Sequence, residues 1–536
     1  MSTHAQIATA GAVCAAATVP AHDRPAGSAL AAFERAHAID PHRTAVLDDR
    51  GNSLTRAELA ALSAEVATEL QGRGLGAGDV VILCMPNWTE WLVVYLAVLR
   101  LRMIPATLPV TTDAKSIAYV ANLVGAKAIA LPVTHRGRDF RSESSTVARE
   151  FGHTLHVLLL DGDHARRSWR SFDGPAVTAP AYPADMAHIL FSSSTTGKSK
   201  AIAHSEASLS AYNFGVIDRY QVTDSRPIFM PSPLGHSTGL WHGARMSLLT
   251  GATLVLQDRW KPRRALELID SHGCGITVAA TPFLKDLVDC EWDGPAPKLN
   301  TMRAFLCGGA PVPPELIERA RRQMPHTFIS SIWAMSEGGA TSSVPGDAAE
   351  LVSHTCGRVL PGVVLETIAP DGSVNPRGTE GELVMRTPSL FIGYLGQDDL
   401  YRESFTADGF FRTGDLGVVD DAGYLRLTGR LKDLIIRGGI NISPVEIEYA
   451  LSDHDQVAKV AVVGRPDSRL GERICAVIQP RDTPPTFEEL VAWLERRGVP
   501  RRLWPESVHI VAEMPQTPAG KIRKAELKQE LWREWS

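Results

Sequence analysis

What most restricts the fold of this chain is a rhythm: short apolar runs separated by segments with helical spacing. The runs are Asp79–Cys84, Lys127–Leu131, His156–Asp161, Ala252–Leu256, Gly275–Ala279 and Arg303–Cys307. Between them, Leu54–Gly72 repeats apolar residues at helical intervals, with Thr55 and Glu58 spaced as a capping box, and Asn87–Leu101 reads as another helix. A strand buried on both faces is apolar along its length, and such strands joined through helices form parallel sheets covered on both sides. The chain is therefore expected to be α/β. Its 536 residues leave room for several structural units.

Composition excludes some partners. With 55 basic and 60 acidic residues the net charge is −5, so neither nucleic acid nor an anionic membrane is expected as the main partner. The longest apolar stretch, Trp91–Leu101, carries Arg100 and is too short for a bilayer, so no membrane span is expected. Seven cysteines without C-x-x-C spacing argue against structural zinc and for a reducing, cytoplasmic location. Residues 1–27 have no Lys or Arg before Arg24 and are expected to be a disordered tail rather than a signal peptide.

The richest polar stretch is Ser192-Ser-Ser-Thr195-Thr196-Gly197-Lys198-Ser199-Lys200, set between Ala187–Phe191 and Ala201–His204. Successive backbone N–H groups in such a loop can form an anion-binding concavity, so it reads as a phosphate cradle; a solvated polar hairpin is the simpler alternative. Gly197-Lys198-Ser199 matches the tail of a P-loop, but Ser192 replaces the first glycine. The residues that follow read as a strand, where a P-loop must open a helix.

Further along, Cys307 ends a strand before Gly308-Gly309-Ala310, small residues that leave room for a flat ligand or simply make a tight turn. In Ser331-Ile332-Trp333-Ala334-Met335-Ser336-Glu337 the aromatic could stack on a base, and the hydroxyl and carboxylate could meet a phosphate and its magnesium. Asp415, in Phe411–Leu416, could hold ribose hydroxyls. Gly429-Arg430-Leu431-Lys432-Asp433, then Arg437-Gly438-Gly439-Ile440, and finally Pro515–Ile522 around Lys521 complete the series.

Taken in this order and spacing, the motifs resemble the adenylate-forming superfamily of acyl-CoA synthetases, aryl and amino acid adenylation domains and beetle luciferases, over residues 28 to 530. The resemblance implies a large N-terminal domain of α/β subdomains with a small β-barrel (28–431), and a smaller, mobile α+β C-terminal domain (432–536) hinged near Lys432. It implies that Thr195, Thr196, Gly197 and Lys200 hold the β- and γ-phosphates of ATP. Gly308, Gly309 and Ala310 lie against adenine, and Trp333 stacks on it. Ser336 sits near the α-phosphate, Glu337 meets Mg2+, and Asp415 and Arg430 contact the ribose. Lys521 bridges the acid and the α-phosphate, where it would offset charge building at phosphorus. After rotation, Gly438 and Gly439 would line the path of the thiol; by themselves they read equally as a hairpin turn.

His236 matches a histidine beside the acyl pocket. Ser237 stands where amino acid enzymes carry an aspartate and 2-hydroxybenzoate enzymes an asparagine, so neither substrate class fits well. Ile332 occupies a place often held by glycine and should shorten the pocket. Ser194, Ser199 and Ala334 also depart from the family's pattern. The expected function is an ATP-dependent acid–CoA ligase acting on a compact aryl, alicyclic or short acid. The alternatives are transfer to a carrier protein or an amine, activation of nitrite for diazotisation of an aryl amine, and a non-catalytic nucleotide-binding protein; intact Lys521, Glu337 and Asp415 speak against the last.

Overall fold

The computed structural model describes residues 28–164, 166–177, 180–192, 200–291, 299–309, 312–517 and 521–535. Thr195, Thr196, Gly197 and Ala310, together with the tail 1–27, lie outside the described residues.

Among the described residues, the apolar runs form two large sheets with parallel cores. In the second sheet Met186–Phe191, Ile104–Thr107, Val80–Leu83, Ala126–Pro132 and Leu155–Leu160 are parallel neighbours. In the first, Thr44–Asp48, Leu254–Leu256, Ile228–Met230, Ile276–Ala280, Ala304–Gly308 and Phe328–Met335 run parallel in that order. The helix Thr89–Arg100 explains its uninterrupted apolarity: buried from Thr89 to Val98, it lies between the sheets, against Thr44–Asp48 on one side and Val80–Leu83 and Ile104–Thr107 on the other. Each fully buried Trp, Leu or Tyr there contributes about 1.5–3 kcal/mol. The expected capping box also forms, with Thr55 and Glu58 closing the start of Arg56–Gln71.

Met186–Phe191 and Ala201–Ser205 are antiparallel partners, so the chain returns as a strand after Lys200, where a P-loop would open a helix. The expected small barrel corresponds to a four-stranded antiparallel sheet, Val364–Ile368, Gly381–Arg386, Phe411–Val419 and Leu425–Arg430. A single helical turn, Leu431–Asp433, leads into the small C-terminal domain. That domain has its own sheet (Ile440–Ile442, Ile435–Arg437, Gly471–Pro480, Val457–Asp467 and Ser507–Ile510) and its own core, in which Ile435, Ile447, Leu451, Ile474, Leu490 and Leu494 are buried. No helix of the described residues is long and apolar enough to cross a membrane.

Candidate active site

The site is a cavity of about 2310 Å³ at the carboxyl ends of the first sheet's parallel strands, roofed by the small domain. Open α/β sheets bind ligands at that edge. One wall is built by strand pairing. Asp415 and Arg430 are register partners on adjacent antiparallel strands, and the pairing brings Arg430 Nε to 2.8 Å from Asp415 Oδ1. The other carboxylate oxygen, Oδ2, accepts a hydrogen bond from Trp333 Nε1 at 2.7 Å. Asp415 thus fixes the indole plane while being only 3% exposed itself. Gly308, at the end of its strand, is a glycine for a close approach: a Cβ there would meet the Ile332 carbonyl oxygen at 2.3 Å and Ile332 Cγ2 at 2.7 Å. Gly309 has φ +80°, the left-handed region that favours glycine.

The opposite end is aromatic and neutral. Tyr212 stacks on Trp241 with ring centroids 4.3 Å apart, and its hydroxyl donates to His242 Nε2 at 3.1 Å. His242 Nδ1 in turn donates to the Thr238 carbonyl at 3.1 Å, which fixes the neutral tautomer; burial holds its pKa down at about 4. His236 Nδ1 accepts from the Thr238 backbone N–H at 3.3 Å, leaving its other nitrogen as the N–H donor. Burial, and then the charge of Lys521, push His236 down to about 4, so it is neutral. Ser336 donates its hydroxyl to Ser237 Oγ at 3.2 Å, and the Ser336 carbonyl accepts from His204 Nε2 at 2.8 Å. Ile332 is buried beside Gly308 in the same wall.

Cations close the remaining side. Lys521 enters the cavity from the small domain, and its pKa is pushed down to about 7 by burial first and then by Arg430 and Lys432, against Asp415 and Asp433. Lys200 lines the cavity with Nζ 4.7 Å from the centroid of the Tyr394 ring. Tyr394 donates its hydroxyl to Glu337 Oε1 at 2.9 Å; burial raises the Glu337 carboxyl, and that bond and the Lys200 and Arg430 charges oppose the rise. Of the residues singled out in the sequence, Lys200, His236, Ser237, Gly308, Gly309, Ile332, Trp333, Ser336, Glu337, Asp415, Arg430 and Lys521 meet here. Gly438 and Gly439 do not: they form the exposed turn between Ile435–Arg437 and Ile440–Ile442, at φ +59° and +81°.

The geometry has matches among known proteins. A sequence model of the AMP-binding enzyme family matches residues 33–395, and a model of the AMP-binding enzyme C-terminal domain matches residues 446–521. The chain belongs to the AMP-binding enzyme family. It is 30% identical to the medium-chain fatty-acid–CoA ligase of Escherichia coli over 92% of this chain and 88% of that one. Identity is 33% to a salicyl-AMP ligase / salicyl-S-ArCP synthetase of Mycobacterium tuberculosis, over 92% and 88% of the two chains. ATP-bound MatB from Rhodopseudomonas palustris superposes with a TM-score of 0.81, at 26% identity, over 95% of this chain and 100% of that structure.

In this AMP-binding enzyme, sequence reasoning passed over Tyr394, His204, Tyr212 and His242. Each acts through hydrogen bonds to residues distant in the chain: Tyr394 reaches back 57 positions to Glu337, and His204 reaches forward 132 positions to Ser336. His204 alone left a trace, a histidine in a strand of small apolar residues.

Proposed function

We propose that the protein is an ATP-dependent acid–CoA ligase: acid and ATP give an acyl-adenylate and pyrophosphate, and CoA then displaces AMP as the acyl thioester forms. The observation that carries this reading is Lys521, delivered by the small domain between the Trp333–Asp415–Arg430 wall and the neutral His236–Ser237 end. Attack of a carboxylate on the α-phosphorus brings two anions together, and an ammonium group between them stabilises the charge that develops. His236, a neutral donor, is suited to bind an acyl oxygen without adding a charge. The stretch Ser192–Lys200 would hold the outer phosphates through Thr195, Thr196, Gly197 and Lys200. Gly308, Gly309 and Ala310 would flank adenine, and Asp415 and Arg430 would take the ribose.

Magnesium enters as part of Mg·ATP. Among the described residues no cluster of three His, Cys, Asp or Glu could hold a resident ion. One carboxylate, Glu337, together with phosphate oxygens and water suits the way magnesium binds beside nucleotides. The acid would be compact, because Ile332 fills the wall beside Gly308 and the Tyr212–Trp241–His242 group closes the far end. Ser237, engaged with Ser336, offers no charge to a substrate amine.

The boundary between the domains is placed at Lys432, with residues 432–536 rotating between the two half-reactions. Transfer to a carrier protein is the second reading, favoured by the salicyl-S-ArCP synthetase relative. The test is pyrophosphate release with benzoate, cyclohexanecarboxylate, butyrate, palmitate and nitrite, each with and without CoA, a phosphopantetheinyl carrier protein and an aryl amine. Turnover with a compact carboxylate plus its CoA thioester by mass is the expected result. Acyl transfer to the carrier alone moves the function to the second reading, and turnover with nitrite alone retires the acid.

A further inference from the structure

We propose that Arg497, held between Glu315 of the large domain and Asp453 of the small one, is a positioning residue for adenylation: it fastens the small domain where Lys521 lies in the cavity. The inference rests on the acid-activating reading above.

Lys521 is tied to its own domain. The Thr517 backbone N–H donates to the Lys521 carbonyl at 2.7 Å, the Lys521 N–H returns a bond to Thr517 Oγ1 at 3.1 Å, and Lys459 Nζ holds Gln516 Oε1 at 2.7 Å. Where the ammonium group sits is therefore decided by how the small domain docks. Docking contacts converge on the residues that follow Gly308–Gly309. Across the interface, the Val312 backbone acts on the hydroxyl of Tyr449, in the Val445–Ser452 helix, opposing the rise that burial gives it. Arg497 Nη2 reaches Glu315 Oε1, in the first turn of Pro314–Gln323, at 2.7 Å and Asp453 Oδ2 at 2.5 Å. A further bond, from Ser443 Oγ to the Thr428 carbonyl, joins segments that flank the linker directly.

One guanidinium between two carboxylates from opposite domains has a particular consequence. With Arg497 present the domains attract; without it, Glu315 and Asp453 face each other with no cation between them, and wherever both are ionised they repel. Their mutual influence is already felt, since burial and then Glu315 push the Asp453 carboxyl up to about 6. Like charges brought together across an interface disfavour association, whereas an exposed ion pair alone adds little. Arg497→Ala is therefore expected to undock the domain more than Glu315→Gln does.

The experiment uses the full chain and the acid from the panel above that releases most pyrophosphate. Adenylation is read as pyrophosphate release without CoA, and thioester formation as AMP release from the supplied acyl-adenylate of that acid with CoA. Arg497→Ala is expected to slow adenylation about tenfold in kcat while leaving the thioester step within about twofold. Glu315→Gln alone should cost about threefold. Adding Glu315→Gln to Arg497→Ala should recover about threefold, because it removes the like-charge contact; a merely structural arginine would not be rescued from the other domain. An unchanged adenylation rate in Arg497→Ala, or equal loss of both steps without rescue, overturns the inference and leaves the acid-activating reading standing. No pyrophosphate release by the unaltered protein with any member of the panel overturns both.

Discussion

Lys521 shows how much a single residue's role depends on placement. In the sequence it is one lysine near the end of the chain, and only the surrounding Pro515–Ile522 pattern singles it out. In the fold it stands beside two further cations, Arg430 and Lys432, and burial with those neighbours holds it near 7. The sign of the resulting pH dependence follows directly. The ammonium form is the one that offsets charge at phosphorus, and in the free enzyme it is lost as pH rises through about 7. Since kcat/KM reports groups of the free enzyme, kcat/KM for adenylation should fall about tenfold per pH unit above 7. Bound triphosphate favours the ammonium, so kcat should hold to higher pH; a pH-rate series at saturating and at low ATP separates the two. Lys521→Ala should lower pyrophosphate release by about 10²- to 10³-fold, the scale of losing one transition-state donor. Thiolysis of a supplied acyl-adenylate should persist, and equal loss in both assays would contradict the role. The partners that prepare this site were not legible for a physical reason: Tyr394 with Glu337, His204 with Ser336 and His242 with Tyr212 are joined by contacts that only the fold creates.

Strands that are apolar along their length were legible, because burial on both faces leaves no other composition available. The runs at Lys127–Leu131, His156–Asp161 and Arg303–Cys307 each fall within a residue or so of a strand. The antiparallel element that carries Asp415 was not read as a strand. Phe411–Val419 alternates in burial, but its inward positions include Asp415 and Gly417 beside Phe411 and Val419, so no apolar alternation shows in the sequence. Pairing also gives Gly308 a second meaning. Read as space for a flat ligand, it is equally the point where two parallel strands pass too close for a Cβ, 2.3 Å from the Ile332 carbonyl oxygen. Gly308→Ala should therefore destabilise the protein by about 1–3 kcal/mol and raise KM for ATP. Adding Ile332→Ala, which removes Cγ2, should show little coupling to it in a double-mutant cycle, because the nearer obstacle is backbone; coupling in thermal denaturation that recovers the whole Gly308→Ala loss would place the conflict in the side chain instead.

At the scale of the whole molecule, two domains were legible from motif order, but their relative orientation was not, since one sequence can support two packings of the same surfaces. The orientation here puts Lys521 in the cavity and leaves the Gly438–Gly439 turn exposed, so the two sets of residues cannot serve one step together. If the small domain rotates about Lys432 between half-reactions, the turn becomes functional only in the second. Gly439→Leu discriminates. A Cβ at Gly439 meets no atom within 4 Å in this orientation, and the cost is confined to a strained φ of +81° in an exposed turn, about 1–3 kcal/mol. Adenylation should stay within about twofold of the unaltered rate, because Gly438 and Gly439 are exposed and outside the cavity lining that includes Lys521. Thioester formation from supplied acyl-adenylate should fall by more than about tenfold, because a side chain would then stand where the thiol must pass and exclude it from a near-attack geometry. Unimpaired thioester formation would mean that the turn never reaches the cavity, and parallel loss of both steps would mean that the strain spreads into the small domain; either result removes the rotation from the mechanism.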